Sequence, residues 1–356
     1  MPIVEVRCGV LHAPLRAPFV TALRSTTVVE SLLVEILDES GTHGIGEAPV
    51  VEKVTGESLH ALRVCVEGPL RSVVVGREPD DLVPLLHDVA RQAPSNPAAR
   101  AAVDVALHDL AARRQGVSLP RFLGGTLLKV PTDVTVSADT ADRLVAAARD
   151  RVDDGFDVVK LKVGTDPVTD VERVLAVRAA VGEAVTVRLD ANQGWTPQEA
   201  VRVLGLLEDA DAGVELVEQP VAAADIDGLA WVRRRAQTPV MADESVFGLR
   251  ELVTVISKGA ADSVNVKLAK AGGLLPAVAL LELARAHGLG AMVGSMMEGP
   301  VGVGAAASLA AVHGTTVVPD LDAAWWLDGS PLQGGLRYEG AMVHLPDTPG
   351  LGIERR

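Results

Sequence analysis

Beyond residue 130 the chain alternates short apolar runs with longer stretches whose apolar residues recur every three to four positions. The runs at 132–136, 158–163, 185–190, 214–218, 240–243, 263–267, 291–295 and 316–320 are rich in β-branched residues and read as buried strands. Stretches between them, such as 141–152, 197–207 and 276–286, carry helical periodicity and read as amphipathic helices. Polar residues close the successive strands, and Lys162, Asp190, Glu218, Asp243 and Lys267 follow one another at intervals of 24 to 28 residues. Such an interval is one strand–helix unit, and the longer gap to Asp320 accommodates two more. Eight units of this kind predict a barrel of parallel strands with its active site at their C-terminal ends. The last unit is atypical, because a Gly/Pro-rich tail takes the place of an eighth helix and is expected to run back towards the N-terminal region. The predicted architecture is therefore α/β, a (β/α)7β barrel.

Residues 1–125 follow a different grammar and predict a separate α+β domain, leaving 126–328 for the barrel and 329–356 for the returning segment. Strands are expected at 4–11, 28–37 and 44–48, the second followed by a turn at 38–41. A helix over 98–114 is announced by Ser95-Asn96-Pro97, a cap candidate with proline in the first turn. Between the first two strands, 14–27 reads as a polar, proline-containing loop that carries Arg24. It is either a lid or a plain connection.

Composition narrows the class. The 356 residues are 48% hydrophobic but only 3% aromatic, as suits an α/β core packed with aliphatic side chains. A formal charge of −14 argues against nucleic acid or an anionic membrane as partner. Cys8 and Cys65 have no metal or redox spacing and exclude a disulfide framework. The first residues lack a basic-then-apolar signal pattern and no apolar run approaches membrane-spanning length, so a cytoplasmic protein is expected.

The chemistry lies at the strand ends. Lys160 and Lys162, two residues apart on one strand, point to the same side. Alone, such a pair is most simply the solvated face of an edge strand; inside a barrel, mutual repulsion and burial are expected to lower a lysine pKa towards that of a base. Asp190 and Asp243 could each be a helix cap. Asp190, Glu218 and Asp243 in one register on successive strands instead converge and require a cation, and oxygen-only ligands favour Mg²⁺ over Zn²⁺. The second and sixth strands face each other across a closed barrel, so Lys162 and Lys267 would flank a substrate whose carboxylate sits on the metal. One lysine would take the proton α to that carboxylate, giving an enediolate, and the other would return a proton to the opposite face. Lys160, close to Lys162, would depress its pKa and help to hold negative charge.

Together, Lys160-Leu161-Lys162, Asp190-Ala191-Asn192, Glu218-Gln219-Pro220, Asp243-Glu244-Ser245 and Asn265-Val266-Lys267 resemble the enolase superfamily, muconate-lactonizing subgroup. The stretch 102–110 with Gly124-Gly125 also fits that family's junction between helix and barrel. No histidine ends the seventh strand, where the mandelate-racemase subgroup would carry its base; Gly294-Ser295-Met296-Met297-Glu298 stands there. The resemblance implies that the N-terminal domain caps the barrel and that one Mg²⁺ is bound per subunit by Asp190, Glu218 and Asp243. It places Thr135, Lys160, Asn192 and Glu298 beside the substrate, and homo-oligomers are common in the superfamily.

Within the subgroup, Asp320-Leu321-Asp322 resembles the D-x-D of dipeptide epimerases, whose carboxylates hold the α-ammonium of the substrate. The simpler alternative is a capped turn ending the barrel. The stretches 19–24 and 46–49, the latter continuing to Thr55-Gly56, resemble the loops that shape the side-chain pocket in the same enzymes. Arg24 would pair there with an anionic second residue, or remain a solvated loop arginine. The function implied is epimerisation at Cα of the C-terminal residue of an L,L-dipeptide. N-succinylamino acid racemase or o-succinylbenzoate synthase is the nearest alternative and muconate cycloisomerase the next; both use substrates with a carboxylate where the dipeptide has an ammonium. Trp325-Trp326 departs from the family pattern, and core packing against the tail is expected for the pair ahead of a role in walling the site.

Overall fold

The computed structural model describes residues 1–21, 25–137 and 140–355. Its centre is a sheet of seven parallel strands, Val134–Val136, Val158–Lys162, Thr186–Asp190, Val214–Glu218, Val240–Ala242, Ser263–Lys267 and Gly290–Gly294, each bonded to the next in chain order. Helices cover the outside, so the strands are buried on both faces and read as continuous apolar runs. The expected barrel is present, with one correction at its seam.

The run at 316–320 does not form a strand. It makes a single parallel bridge, Asp320 to Gly294, in which Asp320 N–H donates to Val293 O (3.0 Å) and Ser295 N–H to Asp320 O (2.8 Å). Towards the first strand, Asp133 N–H donates to Pro319 O (3.0 Å) and Leu321 N–H to Thr132 Oγ1 (2.9 Å). Pro319 has no N–H to offer, so a regular ladder cannot run through this position. Below the seam the fully buried Arg188 completes the closure from the third strand. Its Nη1 donates to Asp133 Oδ2 (3.0 Å) and Val318 O (2.7 Å), and its Nε pairs with Glu215 of the fourth strand.

After the seam a single 3-10 turn, Ala323–Trp326, stands where an eighth helix would begin. The tail then folds into short strands. Met342–His344 pairs with both Arg337–Glu339 and Lys129–Pro131, and Leu332–Gly334 pairs with Ile353–Arg355.

The N-terminal region is a three-stranded antiparallel meander, Ile3–Val20, Ser25–Asp38 and His43–Pro49, followed by helices. Here the loop expected over 14–27 is corrected in its described part: the first strand runs on to Val20 and the second begins at Ser25. Ala13, Leu15 and Phe19 are buried and carry the first strand to Val20. Pro14 sits at the register shift, where a missing N–H is tolerated.

One helix, Pro97–Arg114, joins these parts. Proline occupies its first turn, and the Glu57 carboxylate accepts from Ala98 N–H (2.8 Å) and Ala99 N–H (3.2 Å), in place of a side chain at Asn96. Alanines dominate its buried surface, which lets the meander come close. A Cβ on Gly46 would stand 1.8 Å from Ala102 O and one on Gly44 2.1 Å from Ala106 O. Asp104 of the helix accepts from Leu274 N–H of the barrel (2.7 Å), while Asp109 accepts from Ile45 N–H (2.9 Å) and Leu351 N–H (2.6 Å). Meander, barrel and tail are thus pinned to one helix. Among the described residues no helix is long and apolar enough to cross a membrane.

Substituting Gly46→Ala is expected to destabilise the protein by about 1–3 kcal/mol or more, the cost of overpacking. Urea unfolding of the two proteins measures it; an unchanged midpoint would show that the meander and helix are not in this contact.

Candidate active site

The strand ends bring acids and lysines together in alternation. Parallel register sets Lys162 beside Asp190 and Asp190 beside Glu218. Lys162 Nζ lies 2.6 Å from Asp190 Oδ2, and Lys160 Nζ, from the same side of the strand, lies 3.6 Å from that atom. Lys160 also reaches Glu218 Oε2 at 3.1 Å and pairs with Asp320 at the seam. From the sixth strand, Lys267 Nζ is 2.8 Å from Asp243 Oδ2 and 3.8 Å from Glu218 Oε1, the oxygen to which Asn265 Nδ2 donates at 2.8 Å. All of these side chains are buried.

Burial and pairing compete for each charge. Burial alone would push the Lys160 ammonium down, yet Asp320, Glu218 and Asp190 around it carry the pKa well above the ordinary lysine value. The lowering expected from its neighbour Lys162 is therefore overturned for Lys160, because the carboxylates outnumber the repelling ammonium. Lys267 is likewise raised: desolvation works against it, and Asp243 and Glu218 prevail. Asp243 and Asp190 are held low against burial, Asp243 by Lys267 and Lys270, Asp190 by Lys162 and Lys160. Burial and then the neighbouring Asp243 charge raise Glu244 to about 8 against Lys267 and Lys270, and a cation held by Asp190, Glu218 and Asp243 would return it to the carboxylate form.

Backbone and side-chain hydrogen bonds hold the acids in place. Gln219, at φ 35°, bridges two strand ends: its Oε1 accepts from Asp243 N–H (2.9 Å) and Ser245 N–H (3.1 Å), and its Nε2 donates to Ser245 Oγ (2.8 Å). Asn192 also lies in the left-handed region, at φ 42°, with its N–H on Asp190 Oδ1 (2.9 Å) and its Nδ2 on Glu244 Oε1 (3.2 Å). Lys270 adds an ammonium on the outer side of Asp243, 2.5 Å from Oδ1. At the seam Asp322 Oδ2 accepts from Thr135 N–H (2.7 Å) and from Trp326 Nε1 (2.9 Å), which leaves Oδ1 as the oxygen available to a ligand.

Above these groups is a cavity. Lys162, Lys267, Asp243, Glu244 and Asn192 line it below, and Thr135, Asp320, Asp322 and Ala323 line one side. The N-terminal domain supplies the cover through Phe19 and Thr21 from the end of its first strand and Val51, Lys53 and Val54 from beyond its third. The Phe19 ring stands 5.7 Å from Lys162 Nζ. Lys160, Asp190 and Glu218 are not among the lining residues and lie fully buried. Glu298 does not line the cavity either: its Oε1 accepts from Met296 N–H (3.0 Å). Arg24 falls outside the described residues. Neither tryptophan walls the cavity; Trp326 is buried beneath Asp322, and Trp325 packs edge-on to Phe156 under Arg16 and Arg151.

Residues 3–124 match the family described as the mandelate racemase/muconate lactonizing enzyme N-terminal domain, and residues 143–356 match the enolase C-terminal domain-like family. The chain belongs to the enolase superfamily. Among its relatives there, the L-Ala-D/L-Glu epimerase of Bacillus subtilis is 40% identical over 99% of this chain and 97% of that protein. Its substrate-liganded structure superposes with a TM-score of 0.96, covering 99% of each chain. The hydrophobic dipeptide epimerase of Enterococcus faecalis is 36% identical over 99% of both, and a dipeptide epimerase structure from that organism with Mg and L-Leu-L-Tyr has a TM-score of 0.95 over the full length of both chains. The N-succinyl-L-Arg/Lys racemase of Bacillus cereus is 32% identical over 99% of this chain and 95% of its own.

For a superfamily member the donor set suits a hard cation, since Asp190, Glu218 and Asp243 offer only oxygen and no His or Cys stands among them. In the structure the lysine ammonium groups supply the positive charge, and no three acidic side chains among the described residues meet at metal-ligand distances. The residues fit Mg²⁺ once the ammonium contacts are exchanged for it.

Sequence reading did not single out Lys270, Lys53, or individual roles for Gln219 and Glu244. Glu244 and Gln219 sit inside quoted motifs, where their neighbours drew the attention. Lys270 follows Lys267 by one helical turn, a spacing that would have marked it.

Glu298 is raised to about 8 by burial, then by the Glu47 carboxylate, against one N–H from Met296 and the more distant Lys267. Glu47 itself is raised by burial while it accepts from Gly299 N–H (2.6 Å) and Gly302 N–H (3.0 Å). A carboxyl raised on folding favours the native state at low pH, and that contribution is lost as pH rises from the unfolded value of 4.5 to about 8. Glu298→Gln should therefore gain stability relative to the wild type across that window, read from urea midpoints at several pH values. A difference independent of pH would show that Glu298 ionises normally.

Proposed function

We propose that this chain is a Mg²⁺-dependent dipeptide epimerase that inverts Cα of the C-terminal residue of an L,L-dipeptide. The observation that carries the reading is the placement of Lys162 and Lys267 on opposite sides of the acidic cluster, each lining the cavity, with Asp320 and Asp322 at its edge.

In this reading Asp190, Glu218 and Asp243 hold the metal, which when bound supplies positive charge to the substrate carboxylate. The neutral amine of one lysine takes the α-proton on one face, and the ammonium of the other delivers a proton to the opposite face. One C–H bond breaks, one forms, and the centre is inverted with no net change of atoms. In the reverse direction the two lysines exchange roles. Lys160, wholly buried against Asp190, Glu218 and Asp320, holds the acidic ring in place and keeps a positive charge below the substrate carboxylate.

Asp320 and Asp322 complement a free α-ammonium. Trp326 and the Thr135 N–H fix Asp322, while Asp320 shares its charge with Lys160. The same two carboxylates would repel an N-succinyl group or a muconate, so the racemase and cycloisomerase readings rank behind. Thr135 and Asn192 line the cavity within reach of a ligand, and Arg24, on the family resemblance given above, would meet an acidic second side chain. Cytoplasmic location and homo-oligomeric assembly belong to the same proposal, on the sequence grounds given above.

Pooled L,L-dipeptides incubated in D₂O with Mg²⁺ should gain one deuteron each where they are substrates, read by mass spectrometry. Lys162→Ala and Lys267→Ala should lower epimerisation by about 10²–10⁴-fold, and each should lose exchange from the opposite diastereomer. Exchange of N-succinyl amino acids but of no dipeptide would overturn the assignment.

A further inference from the structure

Two buried acceptors in the cavity have no partner. Asn192 is 8% exposed and Glu244 6%, and neither Asn192 Oδ1 nor Glu244 Oε2 receives a hydrogen bond from any described residue. An unpaired buried acceptor is costly, of the order of 1–3 kcal/mol, and requires an explanation. Their orientation is set locally. Asn192 Nδ2 donates to Glu244 Oε1, so the amide oxygen and the second carboxyl oxygen are the atoms left over. Both side chains line the cavity, and both adjoin proposed metal ligands: Asn192 N–H donates to Asp190 Oδ1, and Glu244 follows Asp243 in sequence. The strained φ of 42° at Asn192 holds its side chain in this place at an energetic cost.

Mg²⁺ demands six oxygens and keeps several waters when proteins bind it. Three carboxylates leave positions for water, and each metal-bound water is a strong donor that needs an acceptor. In the substrate-free protein Lys162 and Lys267 are paired as ammonium groups with Asp190 and Asp243, and an ammonium only donates. We propose that Asn192 Oδ1 and Glu244 Oε2 receive hydrogen bonds from waters on the metal, and so act as positioning residues that set its affinity and the exchange of its water. The inference rests on the Mg²⁺ site of the proposed function, but not on which substrate is used.

The test uses substrate-free full-length protein, with Mg²⁺ titrated by calorimetry and bound Mn²⁺ followed by the broadening of the ¹⁷O water resonance. Glu244→Gln keeps the acceptor for Asn192 and places an N–H where Oε2 was. Asn192→Gly removes the side chain while suiting the positive φ. Glu244→Gln and Asn192→Gly should each weaken Mg²⁺ binding by roughly 10-fold or more and shorten the residence of water on Mn²⁺. Circular dichroism of the metal-free variants separates these effects from misfolding. Wild-type affinity and water exchange in both Glu244→Gln and Asn192→Gly would overturn the proposal while leaving the epimerase reading intact. A wild-type protein that takes up no Mg²⁺ would overturn both.

Discussion

Buried charge has to be compensated, and the mouth of this barrel is organised by that requirement. Asp190, Glu218, Asp243 and Asp320 are withdrawn from water on adjoining elements, at a cost of several kcal/mol per ion before pairing. Lys160, Lys162, Lys267 and Lys270 are interleaved with them, so that each acid touches at least one ammonium. The pattern continues downward through Asp133 to Arg188 and Glu215. Removing one member strands the others, which ties the identity of each residue to all of its neighbours.

The same demand explains the secondary scaffolding. Gln219 and Asn192 sit in a backbone region that most side chains avoid, and each spends its amide on neighbouring strand ends. Backbone strain is tolerated here because hydrogen bonds over-determine the position. Trp326 serves a comparable purpose at the seam, where its indole N–H fixes one oxygen of Asp322.

Much of this was legible in the sequence. The period of strand ends announced the barrel, because one turn of strand and helix has nearly constant length, and the register of Lys162, Asp190, Glu218, Asp243 and Lys267 followed from it. The failures have local causes. Segment 316–320 has strand composition, but Pro319 denies it a ladder, and only tertiary contacts reveal that a single bridge closes the barrel. The 14–27 stretch looks like a loop because of Pro14 and Pro18, yet buried Leu15 and Phe19 keep its first part extended as far as Val20. The elevated Lys160 escaped prediction because repulsion from Lys162 is visible along the strand, whereas the acids around it arrive from the third, fourth and eighth units. Asp322 looked like one of two equivalent acids; its support from Trp326 appears only once the 3-10 turn is formed.

The cover of the cavity hangs from the meander, and the lysines proposed to handle the proton both stand on the barrel. Phe19, Thr21, Val51, Lys53 and Val54 come from one domain, Lys162, Lys267 and the acids from the other. The division puts the cover and the barrel groups on separate stretches of the chain. Drift in the cover can retune which side chains are admitted while the reaction stays as it was, and the tight seating of Gly44 and Gly46 against a single helix keeps the two parts in alignment while that drift proceeds.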